Sequence, residues 1–153
     1  MAVKTRTQLT TGRDFGDLLD SITPALLNVE AITAARTLTT NDSGKVFTLD
    51  SAGGAYTITL PTAALLVAGW NCKFIVKEDT PTGDITIAAG SAIIDGVNDD
   101  GQGNVANSTA GTAVSNIIVE AASKQGDFID LFTDGTSYYF HAVGSVDQAF
   151  TTS

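Results

Sequence analysis

The chain has 153 residues, a net charge of −9 and only 16% charged side chains, below the roughly 25% of ordinary domains. That length suits one domain with its own core. The acidic balance argues against wrapping nucleic acid, whose phosphates need a basic face, and the lone Cys72 excludes a disulfide within the chain. No apolar stretch approaches the roughly 18 residues of a membrane span, and no apolar run follows the basic start as a signal peptide requires. The expectation is a protein made in the cytoplasm, with no membrane and no nucleic acid as partner.

Two zones are expected, an N-terminal arm over residues 1–35 and a β-body over residues 36–153. Charge divides between them. Lys4, Arg6, Arg13 and Arg36 cancel Asp14, Asp17, Asp20 and Glu30, so residues 37–153 carry the whole negative balance. In the arm, Phe15, Leu18, Leu19 and Ile22 recur at helical spacing with Asp14 as a possible cap, which predicts a short helix ending near Pro24. A helix of one or two turns is marginal alone and must pack on something. Residues 25–29 are apolar and could lie against the body or a neighbouring subunit.

The body reads as short strands between turn residues, the pattern of a sandwich or barrel. Residues 45–50 put Phe47 and Leu49 on one face. Residues 55–60 alternate, with Tyr56, Ile58 and Leu60 inward and Thr57 and Thr59 outward. Pro61 stops that strand, and a helical turn is expected between Thr62 and Val67. Residues 72–77 and 84–88 are further strands, and Cys72 reads as a buried, inert thiol. Residues 95–104 are polar and Gly-rich and predict a surface loop. The unbroken Ile117-Ile118-Val119 predicts a strand covered on both faces. Asp134-Gly135 between two apolar runs predicts a hairpin with a type I′ turn. The total is seven to nine strands with no repeat of fixed period, and the fold class is all-β: an antiparallel, jelly-roll-like β-sandwich with an arm. The 22 threonines suit the solvent side of strands. A surface rich in hydroxyls and poor in charge suits cover by neighbours.

Chemistry is sparse. His141 is the only histidine, which rules out a catalytic zinc site with several histidines. No G-x-S-x-G elbow supplies a nucleophile for a triad. Counted from Asp95 or Asn98, the acidic stretch fails the calcium-loop pattern, because Asp100 and Thr109 stand where Gly and Glu should. Asp127 and Asp130 point to opposite faces of one strand and so do not pair for glycoside hydrolysis. Trp70, Tyr138 and Tyr139 could stack on sugars but suit packing better. The reading is not an enzyme, with no cofactor and no metal.

Three pieces carry a resemblance. One is Lys4-Thr5-Arg6-Thr7-Gln8-Leu9 with the apolar helix after it. The second runs from Leu38-Thr39-Thr40-Asn41-Asp42-Ser43-Gly44-Lys45-Val46-Phe47 through Ile58-Thr59-Leu60-Pro61 to Phe74-Ile75-Val76. The third is Gly126-Asp127-Phe128-Ile129-Asp130-Leu131 with Asp134-Gly135-Thr136-Ser137-Tyr138-Tyr139. Together they resemble a module common in virion structural proteins of tailed bacteriophages. The resemblance implies a β-sandwich that coats capsids or builds fibres and tail parts, usually as a homotrimer, and carries no catalytic residue. A short arm on a compact body fits a capsid decoration, or cement, protein on the virion surface. Its partner would be the major capsid protein, and Lys4, Arg6, Arg13, Phe15, Leu18, Leu19 and Ile22 would make the protein contact. The alternative is a head or tail fibre that binds a host glycan through residues 95–104, with Trp70 or Tyr139 stacking on the sugar.

Overall fold

The computed structural model describes residues 28–79, 81–90, 93–99 and 109–153, apart from the side chains of residues 63 and 109–112. The described chain is all-β. It comprises β1 (Val29–Ile32), β2 (Arg36–Thr37), β3 (Lys45–Leu49), β4 (Tyr56–Thr59), β5 (Asn71–Val76), β6 (Ile85–Ala88), β7 (Ile93–Asp99), β8 (Thr109–Val114), β9 (Asn116–Val119), β10 (Phe128–Thr133), β11 (Ser137–Val143) and β12 (Phe150–Thr152). Short 3-10 turns lie at Thr40–Asp42 and, as expected after Pro61, at Ala63–Leu65. Twelve strands among the described residues exceed the seven to nine expected, because two- to four-residue strands leave little periodicity to read.

The strands form a seven-stranded sheet in the order β1-β3-β5-β10-β11-β7-β8 and a five-stranded sheet in the order β12-β9-β6-β4-β2. The expected antiparallel, jelly-roll-like arrangement is corrected here, since both sheets are mixed. β1, β3 and β5 run parallel, as do β2, β4 and β6, and β11 runs parallel to β7. The cause is a chain that alternates between sheets from β1 to β7. A parallel neighbour needs a crossover, and here a strand of the other sheet serves as the crossover. Val29 stands beside Val46, and Val46 beside Lys73. These unequal steps explain why no fixed period is visible in the sequence.

Period-two alternation sends Phe47 and Leu49 from β3, Ile58 from β4, Phe74 from β5, Ile85 and Ile87 from β6 and Ile129 and Leu131 from β10 into one buried cluster shared by both sheets. Phe47 and Phe74 stack with centroids 5.6 Å apart. Three polar side chains bond backbone carbonyls across the core, as burial favours. Tyr138 donates to the Pro61 carbonyl at 2.8 Å, Tyr56 to the Ile32 carbonyl at 2.8 Å and Asn98 Nδ2 to the Phe150 carbonyl at 2.6 Å.

Four local expectations change. Residues 95–99 belong to β7 rather than to a loop, and residues 100–104 lie outside the described residues. Gly96 is a strand glycine at a close approach, where a Cβ would run into the Phe140 carbonyl oxygen and ring. Residues 29–32, read as the end of the arm, are the edge strand of the seven-stranded sheet. Ile118 faces outward and is half-buried, so β9 is covered on one face. The β10–β11 hairpin forms as expected, but only Gly135 has positive φ, at 96°, so its turn is not type I′. The Asp134 carboxylate shapes it instead, accepting from the Thr136 and Ser137 N–H groups at 2.8 and 2.9 Å.

Candidate protein-interaction surface

The register of the seven-stranded sheet lines its outward side chains into cross-strand rows. One row runs Val29, Val46, Lys73, Asp130, His141 and Val97; a second runs Ala31, Thr48, Ile75, Phe128, Val143 and Asp99. A third runs Asn71, Phe132, Tyr139 and Asp95. Val29 is 62% exposed, Phe132 53%, Ile93 48% and Val97 45%. Phe132 and Ile93 lie at one end of the sheet, and Val29 and Val97 close the two ends of the first row; large apolar side chains left this open make the face a candidate interaction surface.

Phe132 and Tyr139 stack at 5.3 Å with planes 24° apart. The Tyr139 hydroxyl donates to Asp134 Oδ2 at 3.1 Å, and this bond to a carboxylate pushes the phenol up from its ordinary value. Asp134 is held below the usual carboxylate range by the Ser137 and Thr136 amides and stays ionised. Beside this pair, Lys73 Nζ lies 3.1 Å from Asp130 and 4.0 Å above the Phe128 ring centroid, so its charge is spent within the face. A depression of about 270 Å³ opens here, lined in part by Val46, Asn71, Lys73, Asp130 and Phe132.

The outward rows of the five-stranded sheet differ. One reads Thr151, Ile118, Thr86 and Thr57, and the other Asn116, Ala88, Thr59 and Thr37. At one edge an ion network ties the two sheets together. Arg36, on β2, reaches Glu30 of β1 at 2.6 Å and Asp42 at 3.2 Å; Lys45, on β3, reaches Asp42 at 2.7 Å and Glu30 at 3.2 Å. Asp42 also accepts from the Thr39 N–H at 2.8 Å. Burial pushes the Asp42 carboxyl up, but the Lys45 and Thr39 hydrogen bonds outweigh it and the group sits below its ordinary value. Glu30 is held low chiefly by the hydrogen bond from Arg36.

The interaction residues expected from the sequence, Lys4, Arg6, Arg13, Phe15, Leu18, Leu19 and Ile22, lie outside the described residues. Trp70, offered for sugar stacking, is buried, and its Nε1 donates to the Thr39 carbonyl at 3.1 Å. Tyr138 is likewise in the core, and Tyr139 alone of the three stands on the outer face. Cys72 is buried, which raises its thiol well above the ordinary range. His141 is exposed, opposite Asp130. Asp127 stands just ahead of β10 rather than on it, buried and accepting from the Lys124 and Ser145 amides, whereas Asp130 faces out from the strand. Among the described residues no group of three or more His, Cys, Asp or Glu could hold a metal ion, and no helix is long and apolar enough to cross a membrane. The sequence reading missed Ile93, Val97, Phe128 and Phe132. For Phe128 and Phe132 the signal was present in 128–132, where both phases of the alternation are apolar except at Asp130. Compared with known proteins, the chain matches no family model and no curated protein.

Proposed function

We propose that the chain is a structural protein of a tailed-bacteriophage virion, a β-sandwich that decorates the capsid as a homotrimer and stabilises the shell by binding the major capsid protein. The observation that carries the adhesive part is the outer face of the seven-stranded sheet, with Ile93, Val97 and Phe132 exposed around the Phe132–Tyr139 stack. The resemblance of residues 4–9, 38–76 and 126–139 to phage virion modules supports the virion part. Apolar burial would supply the attraction, at about 25 cal/mol per Å² before association costs. Lys4, Arg6 and Arg13 would steer the arm onto acidic shell surface, and Phe15, Leu18, Leu19 and Ile22 would add burial there. Many modest contacts across subunit joints act as avidity and hold the shell together. No catalysis enters this reading.

The test is binding of the purified chain to undecorated capsids, alongside its copy number in purified particles. A decoration protein saturates sites in proportion to the capsomers. Deleting residues 1–13 lowers occupancy and leaves the body folded. Unchanged occupancy removes the arm from the mechanism, and a handful of copies per particle removes decoration altogether.

A fibre protein that binds a host glycan is the second reading, favoured by one observation. The exposed Phe132–Tyr139 pair offers a flat platform for a sugar ring. That reading expects the isolated chain to bind host cells and to lose binding when either ring is removed.

A further inference from the structure

The outer face of the seven-stranded sheet carries a pattern of charge and apolar surface that is its own complement. The order β1-β3-β5-β10-β11-β7 puts three strands on each side of the boundary between β5 and β10. A second copy turned over about a two-fold axis along this boundary, parallel to the strands, sets β5 against β10, β3 against β11 and β1 against β7. Each cross-strand row then meets itself in reverse.

In the charged row the reversal sets Lys73 of one copy against Asp130 of the other, Val46 against His141 and Val29 against Val97. Each Lys73 also keeps its own Asp130 at 3.1 Å, so cations and carboxylates alternate about the axis. Val29 and Val97, both exposed, cover one another. In the next row Ile75 meets Phe128 and Thr48 meets Val143, with Ala31 and Asp99 at the rim. In the third, Phe132 meets Asn71, and Tyr139 meets Gly44, which stands beside Asn71 and has no side chain to obstruct the ring. The other axis in the plane of contact, across the strands, would set Lys73 against Lys73 and Asp130 against Asp130, and like charge excludes it.

We propose that this face is a pairing surface for a second copy of the chain, with the Lys73–Asp130 contacts across the axis fixing its register. The six strands span roughly 24 Å and the three rows roughly 14 Å. With its rim side chains, such a patch lies near the lower limit of specific interfaces, roughly 1,000 Å² over both partners. Desolvation of the central charges subtracts from the gain, so the dissociation constant is on the order of micromolar or weaker. A two-fold contact closes on itself and gives pairs, so a homotrimer is built through other surfaces. The decoration reading turns the same face to the shell, which makes the paired and shell-bound states mutually exclusive.

Sedimentation equilibrium of the full chain, over the micromolar to millimolar range, tests the pairing. The mean mass rises with concentration toward twice its dilute value. Lys73→Asp and Asp130→Lys each set like charges across the axis and weaken pairing at least about tenfold. Asp130→Lys also lowers the net negative charge, so its loss of pairing cannot come from general repulsion. An equimolar mixture of the two variants pairs again, because each new charge finds its opposite across the axis. Thr86→Asp, on the five-stranded sheet, pairs like the parent. A mass independent of concentration overturns the proposal, whether a segment of the same chain or nothing covers the face. Pairing that either charge variant leaves unchanged places the contact elsewhere and overturns it too, as does a mixture that fails to pair. No capsid enters the measurement, so its failure leaves the shell reading to its own test.

Discussion

Across the five-stranded sheet the outward side chains of one row are Thr151, Ile118, Thr86 and Thr57, whereas across the seven-stranded sheet the Ile75, Phe128 and Val143 row and the Phe132–Tyr139 stack flank the charged row of Lys73, Asp130 and His141. Both faces obey the same alternation and both back onto the same core. Threonine suits a solvent-facing strand position because its β-branch fits the pleat and its hydroxyl can be hydrated or bonded nearby, as that of Thr151 is to Glu120. Phenylalanine and valine at equivalent positions leave apolar surface in water that only a cover can remove. On the proposed function, the difference leaves the threonine side to solvent and makes the Phe132 side the candidate for contact.

The largest expected effect tests how the contact face is assembled. Gly96 lets β7 lie against β11 and so carries Ile93, Asp95 and Val97 to that face. Gly96→Ala forces a Cβ into the Phe140 carbonyl and ring, and overpacking against backbone costs about 3 kcal/mol. Urea unfolding reads this as a lowered midpoint, with Thr86→Ala on the other sheet as the mild control. A Gly96→Ala chain with the parental midpoint would remove β7 from its place beside β11.

Next in size is adhesion itself. Phe132→Ser with Tyr139→Ser weakens binding to capsids by at least about tenfold, which is about 1.4 kcal/mol, and leaves the far-UV circular dichroism intact. Thr57→Ser with Thr86→Ser leaves binding unchanged. Equal losses from the two double variants would erase the functional difference between the faces.

How much of this contrast was legible in the sequence depends on distance along the chain. The inward set Phe47, Leu49, Ile58, Leu60, Ile85 and Ile87 follows from local alternation and is buried as expected. Strand pairing does not follow, because β1 pairs with β3 across an intervening strand of the other sheet, and no short window records that. Glycine and acids in 95–99 hid β7, since Gly96 serves a tight approach to Phe140 that is invisible from either segment alone. The contact face left a fainter mark. Phe128 and Phe132 sit out of phase with Ile129 and Leu131, and apolar residues in both phases show that neither side of a strand is meant for water. Ile117-Ile118-Val119 carries the same mark, yet Ile118 is one apolar residue among hydroxyls, so a single out-of-phase position is not enough.

A smaller effect concerns the joint between the sheets. Asp42, itself buried, receives Arg36 from the five-stranded sheet and Lys45 from the seven-stranded one. Asp42→Asn lowers stability by about 1–2 kcal/mol at pH 7. The sign of its pH dependence follows from the carboxyl being held below 3.8 in the fold. Its contribution is complete above that value and is lost as pH falls through the lower folded one. Parent and variant therefore converge in thermal denaturation as the pH falls well below 3.8, and a gap that widened with acid would show that Asp42 is not stabilised as an anion.

The smallest effect probes the solvent side directly. Thr86 lies between Thr57 and Ile118 on the outward row. Thr86→Val keeps the β-branch and the side-chain shape and replaces one hydroxyl with a methyl group. If that hydroxyl serves only water, stability in urea changes by less than about 0.5 kcal/mol. The added methyl group extends the apolar spot at Ile118, so retention on a hydrophobic column rises slightly. A stability loss well beyond that range would mean that the hydroxyl is committed to a bond within the folded chain. The threonine face would then be an ordered structural surface, and its contrast with the Phe132 face would rest on packing rather than on hydration.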